Sequence, residues 1–126
     1  MPEEMPRIVV VEDDLGMSQA IERLLRAGGF AVVRFPSAEA ALEAGVATVS
    51  DCLILDVHLP GMSGFDLYRR LASAGERIPA IFITAHDEPD VREEAEELGA
   101  SSFLCKPFSG RTLLDSVARG IRVETL

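Results

Sequence analysis

Short apolar runs alternate with longer helical segments along this chain, and that alternation limits the folds it can adopt. Runs rich in β-branched residues occupy positions 7–11, 31–34, 51–55, 79–83 and 102–105. Apolar residues spaced as one face of a helix recur at positions 15–27, 37–46, 64–74, 89–98 and 109–122. Strands that alternate with helices form parallel sheets covered on both faces, so the sequence predicts an α/β fold.

Polar residues follow most of the predicted strands. Glu12 and Asp13 come directly after the first strand, Asp56 after the third, and Thr84 after the fourth. Lys106, which is the only lysine in the chain, follows the fifth. Because the carboxyl ends of parallel strands form a binding crevice, we expect these side chains to converge. Three carboxylates, a hydroxyl and an ammonium suit a divalent cation together with a phosphoryl group.

Phosphoryl transfer explains why these residue types stand together. A carboxylate attacks phosphorus poorly unless the other phosphoryl oxygens are neutralised. Magnesium prefers an octahedron of carboxylate, carbonyl and water oxygens, and Asp13, Asp56 and the backbone carbonyl of His58 can supply three of them. Lys106 adds a positive charge, and Thr84 adds a short hydrogen-bond donor.

Several motifs in order along the chain resemble those of one known family. They are Val10-Val11-Glu12-Asp13-Asp14, Asp56 followed by Leu59-Pro60-Gly61-Met62-Ser63-Gly64, Ile83-Thr84-Ala85, Gly99-Ala100 and Phe103-Leu104-Cys105-Lys106-Pro107-Phe108. Over about residues 6–122 the chain resembles the receiver domain of a two-component response regulator, of the FixJ/NarL type. The resemblance implies a flavodoxin-like (βα)5 fold with a five-stranded parallel sheet of order 2-1-3-4-5. We expect residues 1–126 to form a single receiver domain.

The resemblance also implies a role for each polar residue of the crevice. Asp56 is the expected phosphate acceptor, and Thr84 and Lys106 are expected to bind the phosphoryl group and complete the catalytic set. Asp13 is expected to bind magnesium directly and Glu12 through water, and manganese is an expected substitute for magnesium.

Further residues match features of the family's switch and loops. Phe103 resembles the switch aromatic, which moves inward when the hydroxyl equivalent to Thr84 swings to the phosphoryl group; plain core packing is the alternative. The resemblance implies a cis bond between Lys106 and Pro107, which would turn the ammonium into the crevice. Gly64 is expected to permit a tight turn into the third helix.

Two histidines lie close to the site in sequence. His58 stands two residues after Asp56, and His86 stands two residues after Thr84. In receiver domains these positions flank the path of the attacking water, so the resemblance implies that both tune the lifetime of the phosphoryl group. The alternatives are two exposed histidines without a role, or a zinc or other transition-metal site formed with the acids.

Local signals refine the expected helices and strands. Asp14 and Ser37 stand where helices begin. We expect Ser37 to act as an N-cap, and Asp14 either to cap its helix or to support the neighbouring site residues. The helix at 89–98 has a thin apolar stripe among repelling acids, so it should be the least firmly docked helix. Cys52 and Cys105 lie in apolar runs and are expected to be buried thiols without a disulfide.

Composition excludes several classes of partner. The formal net charge of -9 argues against direct binding of nucleic acid. No stretch is long and apolar enough to span a membrane, and the acidic N-terminus is unlike a secretory signal. We therefore expect a cytoplasmic protein that does not bind a membrane.

Three functions are compatible with these residues. The leading hypothesis is a signalling domain that takes a phosphoryl group from a sensor histidine kinase or phosphotransfer protein, catalysing its own phosphorylation and dephosphorylation. A C-terminal DNA-binding output domain and a phosphorylation-dependent dimer are compatible with it. One alternative is a small magnesium-dependent phosphatase, although such enzymes usually carry an acid where this chain has His58. The other is a phosphorylation-independent interaction module, which would typically lose part of the polar set that this chain keeps.

Overall fold

Five strands and five helices alternate along the chain, which confirms the predicted α/β class. The structure, a computed structural model, describes residues 5–46 and 50–125, with side chains described up to residue 121. The strands are β1 (Arg7–Val11), β2 (Ala31–Phe35), β3 (Cys52–Asp56), β4 (Ala80–Thr84) and β5 (Ser102–Cys105). The helices are α1 (Leu15–Ala27), α2 (Ala38–Glu43), α3 (Gly64–Ser73), α4 (Pro89–Glu97) and α5 (Gly110–Thr125). Among these described helices, none has the length and apolar character needed to cross a membrane.

The strands form one parallel sheet of order β2-β1-β3-β4-β5, which confirms the predicted topology. Pairing continues to the last residue of the two strands that carry site residues: Asp56 pairs with Ile83, and Thr84 pairs with Cys105. Asp56 and Thr84 therefore end β3 and β4, whereas the sequence predicted strand ends at 55 and 83. Their side chains consequently lie at the carboxyl edge of the sheet, on firmly paired backbone.

Alternate residues of the central strands face two separate cores. One face of the sheet packs against α2, α3 and α4 through Val9, Val11, Leu53, Leu55 and Phe82. The other face packs against α1 and α5 through Ile8, Val10, Ile54, Ile81 and Ile83. Because both faces are covered, the central strands are apolar at consecutive positions, and only their polar ends remain available for chemistry.

The starts of the first two helices follow the predicted caps. The side chains of Asp14 and Ser37 each accept a hydrogen bond from a backbone amide in the first turn of α1 and α2. The predicted extent of α2, to residue 46, is wrong because the helix ends at Glu43. Gly45 adopts a φ of 70°, a left-handed conformation that turns the chain out of the helix.

Helix α4 has the thin apolar contact that the sequence predicted. Across this fully described helix, Ala95 alone is buried, whereas α3 buries four residues. An ion pair between Arg69 and Glu94 joins α4 to α3. Helix α4 therefore has fewer buried residues than α3 to hold it against the sheet.

The two cysteines differ in their surroundings. Cys52 is buried, and burial raises the pKa of its thiol to about 12. Cys105 is half-buried, so the prediction that both thiols are buried is wrong for this residue. The physical reason is that β5 lies at the edge of the sheet. Both are free thiols, as predicted.

Gly64 allows the start of α3 to approach β3 closely. A side-chain carbon at Gly64 would lie 2.3 Å from the backbone oxygen of Asp56. Gly64 is not among the glycines with positive φ, whereas Gly61 in the preceding loop has a φ of 75°. The prediction that Gly64 is needed for a tight turn is therefore wrong. This glycine is needed because α3 packs closely against β3, the strand that carries Asp56.

We expect Gly64→Ala to lower the free energy of unfolding by about 1–3 kcal/mol, because the added methyl group must displace backbone. Urea denaturation would measure the change. Gly16→Ala in the first turn of α1 is the control, because its added carbon would lie an ordinary 3.4 Å from the nearest atom, on Asp14. Gly16→Ala should be neutral or stabilising by up to about 1 kcal/mol. Equal stability of Gly64→Ala and the wild type would contradict the close approach.

Candidate functional site

Three carboxylates converge at the carboxyl edge of the sheet. Glu12 and Asp13 follow β1, Asp56 ends β3, and these two strands pair in parallel. Each acid offers one oxygen, and the three oxygens lie within 4.8 Å of one another. Glu12 and Asp56 are 2% and 4% exposed, whereas Asp13 is exposed to solvent. The arrangement can bind a hard cation with one side open to water or a ligand.

Lys106 links the two buried carboxylates. Its Nζ donates to Glu12 Oε1 over 2.8 Å and to Asp56 Oδ2 over 3.1 Å. The peptide bond from Lys106 to Pro107 is cis, as the family resemblance implied. Burial lowers the pKa of Lys106, but the hydrogen bonds and charges of the two carboxylates outweigh burial and raise it. The ammonium therefore stays protonated at neutral pH.

Backbone amides hold the other oxygens of the same two acids. The amide of His58 donates to Asp56 Oδ1 over 2.9 Å, so both oxygens of Asp56 are oriented. The amide of Asp14 donates to Glu12 Oε2 over 3.1 Å. The predicted cap residue Asp14 thus also supports the site through its backbone.

Burial makes ionisation of Glu12 unfavourable in this arrangement. Its pKa is raised from 4.5 to about 7, chiefly because burial disfavours the charged form. The hydrogen bond from Lys106 lowers the pKa, whereas the shared site with Asp56 raises it. A bound cation would favour the ionised form of Glu12, so cation binding and this pKa are linked.

Thr84 is fully buried next to the acids, and its hydroxyl is already hydrogen-bonded. Thr84 Oγ1 donates to the carbonyl of His86 over 3.2 Å and accepts from the His86 amide over 3.1 Å. To bind a new oxygen the hydroxyl has to release the His86 carbonyl. The hydroxyl of Thr84 is therefore tied to the backbone of the β4–α4 loop.

The two histidines lie side by side on the surface. The rings of His58 and His86 are edge to face, with centroids 5.9 Å apart. Within the described residues, the cluster that could hold a metal contains Glu12, Asp13 and Asp56 and neither histidine. A transition-metal site that includes the histidines therefore gains no support.

Phe103 is half-buried, and Arg92 of α4 covers it. The guanidinium carbon of Arg92 lies 4.8 Å from the centre of the Phe103 ring, which is a cation–π distance. Arg92 Nη2 also donates to Asp87 Oδ1 over 3.0 Å. Sequence reasoning missed this contact. Its one signal was that Arg92 is the only basic residue in an otherwise acidic helix.

Comparison with known proteins places the chain in a family. A model of the response regulator receiver domain matches residues 8–118. Nodulation protein W of Bradyrhizobium diazoefficiens is 44% identical over 110 residues, covering 87% of this chain and 48% of that protein. The transcriptional regulatory protein FixJ of Azorhizobium caulinodans is 37% identical, covering 93% of this chain and 55% of that protein. The crystal structure of FixJ-N superposes with a TM-score of 0.85 at 32% identity, covering 97% of this chain and 96% of that one.

This chain belongs to the response regulator receiver domain family. It is a signalling domain of the two-component type, with a flavodoxin-like fold. The chain spans about half the length of the curated relatives described above. Receiver domains bind magnesium through an acidic pocket, and this chain has a cluster of three acids at the matching edge of its sheet. The phosphatase alternative gains no support from the comparisons.

The raised pKa of Glu12 predicts how the stability of the metal-free protein depends on pH. The folded state binds a proton more tightly than the unfolded state, so this group's contribution is fully present below about pH 4.5 and is lost as the pH rises through about 7. In EDTA, the free energy of unfolding of the wild type should fall by roughly 1–2 kcal/mol relative to that of Glu12→Gln as the pH rises through this range. Urea denaturation at several pH values would measure the difference.

Glu22→Gln provides a control of opposite sign for the pH measurement. Hydrogen bonds from Arg26 and Arg34 lower the pKa of Glu22. The contribution of Glu22 is therefore present above its unfolded pKa and is lost as the pH falls below that value. If the free energy of unfolding depends on pH in the same way in the wild type and in Glu12→Gln, the prediction that Glu12 has a raised pKa is wrong.

Proposed function

We propose that this domain accepts a phosphoryl group on Asp56 from the phosphohistidine of a sensor histidine kinase or phosphotransfer protein. The observation that carries the proposal is the ammonium of Lys106, which bridges the buried carboxylates of Asp56 and Glu12 beside Asp13. An Asp56 oxygen forms the new bond to phosphorus, while the bond from phosphorus to the histidine nitrogen breaks. The nitrogen keeps the electron pair and takes up a proton.

The residues of the domain itself would supply the catalysis. Lys106 already donates to Asp56 Oδ2, and it would donate to a phosphoryl oxygen once that oxygen occupies the crevice. Thr84 would donate a second hydrogen bond after releasing the His86 carbonyl. The same groups would serve when water removes the phosphoryl group, so the domain would catalyse its own phosphorylation and dephosphorylation.

The acid cluster fits magnesium, with manganese as a substitute. Three carboxylate oxygens within 4.8 Å match the hard oxygen ligands that magnesium prefers. We propose Asp13 and Asp56 as direct ligands, Glu12 as a ligand through water, and the backbone carbonyl of His58 as a further ligand. When bound, the cation would neutralise charge on the phosphoryl oxygens.

We propose that phosphorylation is signalled through Thr84, Phe103 and α4. When Thr84 turns to the phosphoryl group, its hydrogen bond to the His86 carbonyl is lost. The space that Thr84 leaves would admit Phe103, which would withdraw from the guanidinium of Arg92. Both changes act on α4, the helix with the least buried surface among those described. A phosphoryl group can shift this equilibrium because the contact with Thr84 exists in only one state.

The partners and setting follow from the same proposal. The whole of residues 1–126, with a core at about 6–122, would be one receiver domain. The two relatives are about twice as long, and one is named a transcriptional regulatory protein, so we propose a DNA-binding output domain C-terminal to this domain. A phosphorylation-dependent dimer is compatible with a switch at α4.

The net charge of -9 disfavours direct contact of this domain with nucleic acid. Because sensor kinases use ATP, we place the domain in the cytoplasm.

Acetyl phosphate should phosphorylate the wild type in the presence of magnesium or manganese, and should fail to phosphorylate it in EDTA. Asp56→Asn keeps the size of the side chain but removes the nucleophilic oxygen, so it should gain no phosphoryl mass. Intact mass spectrometry measures both. Asp115→Asn, at an exposed acid in α5, is the control and should be phosphorylated like the wild type. Equal phosphorylation of Asp56→Asn and the wild type would contradict the proposal that Asp56 is the phosphate acceptor.

Hydrogen exchange should show that phosphorylation alters α4. Amides at 91–97 should exchange faster than those at 113–121 in the free protein, because α4 buries little surface. Phosphorylation should change exchange at 91–97 in the wild type and much less in Thr84→Ala. The helix at 113–121 serves as the internal control. If α4 proves as protected as α5 and does not respond to phosphorylation, the switch lies elsewhere.

The histidine pair should control how long phospho-Asp56 survives. The two rings lie 5.9 Å apart, and the backbone amide of His58 donates to Asp56, so we propose that the rings cover part of the approach of water. Phosphoprotein of the double variant His58→Ala, His86→Ala should therefore hydrolyse severalfold faster than the wild type. Each single variant should show an intermediate rate. If phospho-Asp56 hydrolyses at the same rate in the double variant and in the wild type, the histidines do not control its lifetime.

A further inference from the structure

The loop from Val57 to Ser63 follows the acceptor strand and is tied to α2 near its C-terminal end, at Met62. The amide of Met62 donates to Glu39 Oε2 over 2.8 Å. Glu39 lies in the first turn of α2, far from the loop in sequence, and its side chain reaches across to it. A single carboxylate thus links α2 to the backbone of the acceptor loop.

Gly61 gives independent evidence of how closely this carboxylate fits. A side-chain carbon at Gly61 would lie 2.6 Å from Glu39 Oε2 and 3.4 Å from Glu39 Cδ. The carboxylate therefore lies directly against the Cα of Gly61, at the position where any other residue would carry its side chain. Gly61 also has a φ of 75°, so its backbone conformation favours glycine.

The ends of the same loop are held by other elements. The Val57 amide donates to the carbonyl of Ile83 in β4 over 2.9 Å. At the other end, Ser63 and Asp66 form a capping box that starts α3. Glu39 contacts Gly61 and Met62, just before the second anchor. The position of this part of the loop therefore depends on the Glu39 side chain.

We propose that Glu39 is a positioning residue for phosphoryl transfer, and that it acts by holding the acceptor loop in the geometry that presents the His58 carbonyl to the magnesium ion. This inference rests on the proposed function of Asp56 and its neighbours. Glu39 touches neither the acids nor a phosphoryl group in this arrangement; it acts through the loop.

Physical chemistry explains why the loop must be held. Magnesium demands near-ideal octahedral geometry, so a ligand carbonyl on a loosely held loop binds it poorly. The amide of His58 also orients Asp56 Oδ1 over 2.9 Å, so movement of the loop would disturb the nucleophile as well. The hydrogen bond from the Met62 amide lowers the pKa of Glu39. The Glu39 carboxylate therefore accepts this hydrogen bond in its ionised form.

Magnesium affinity of Glu39→Ala and Glu39→Gln would test the proposal. Isothermal titration calorimetry with magnesium chloride would be run well below the melting temperature of each variant. Glu39→Ala should bind magnesium about tenfold more weakly, the low end of the effect when a group that orients a metal ligand is removed. Its phosphorylation by acetyl phosphate at subsaturating magnesium should slow by a similar factor. Glu39→Gln keeps an oxygen that can accept the Met62 hydrogen bond, although without the charge, so it should lose clearly less affinity than Glu39→Ala.

Glu43→Ala is the matched control because it removes an exposed glutamate from the last residue of the same helix. It should bind magnesium like the wild type. If Glu39→Gln loses as much affinity as Glu39→Ala, the charge and not the held loop is responsible, and the proposal is overturned. Unchanged affinity in Glu39→Ala also overturns it. If the wild type itself neither binds magnesium nor accepts phosphate on Asp56, the proposed function fails first.

A double-mutant cycle with Gly61→Ala gives a second readout. The added methyl group would displace the carboxylate of Glu39, so it should weaken magnesium binding partly by the same route. In the Glu39→Ala background this part of the effect is already lost, so the two substitutions should be less than additive. Full additivity would show that Gly61 and Glu39 act independently and would contradict the shared contact.

Discussion

The bridge from Lys106 to Asp56 and Glu12 is the interaction on which this site depends. Two nearly buried carboxylates would repel each other strongly in a dry crevice, and one ammonium offsets only part of that cost. Burial is the chief reason that the pKa of Glu12 is raised, and the neighbouring Asp56 raises it further, although Lys106 lowers it. A site with three acids and one lysine is therefore short of positive charge, which is the physical reason that a divalent cation fits it.

The fold serves this bridge by supplying precise strand ends. Parallel pairing brings the ends of β1, β3, β4 and β5 to one edge, and pairing that continues through Asp56 and Thr84 holds both residues on rigid backbone. Two cores cover the sheet and bury the apolar residues of its three central strands. Gly64 allows the start of α3 to pack closely against β3, the strand that carries Asp56. The chemistry is confined to an edge that packing has already positioned.

Two structural connections lead outward from the site. One runs from Thr84 through the β4–α4 loop to α4, where Arg92 covers Phe103. The other runs from the acceptor loop to α2 through Glu39 and Met62. In our proposals the first carries the signal and the second maintains the geometry of transfer. This division agrees with their packing, since α4 buries one residue whereas the acceptor loop is anchored at both ends.

The sequence by itself determined the α/β class, the approximate helices and strands, and the convergence of Asp56, Thr84 and Lys106, because strand ends and apolar periodicity are local properties of the chain. The sheet order followed from the family resemblance, not from periodicity. Tertiary structure alone decided which distant side chains meet: Glu39 with the Met62 amide, Arg92 with Phe103, and Gly64 with the backbone of Asp56. These contacts depend on how helices are placed against the sheet and on which rotamers fill the remaining space, and neither is encoded in residue spacing.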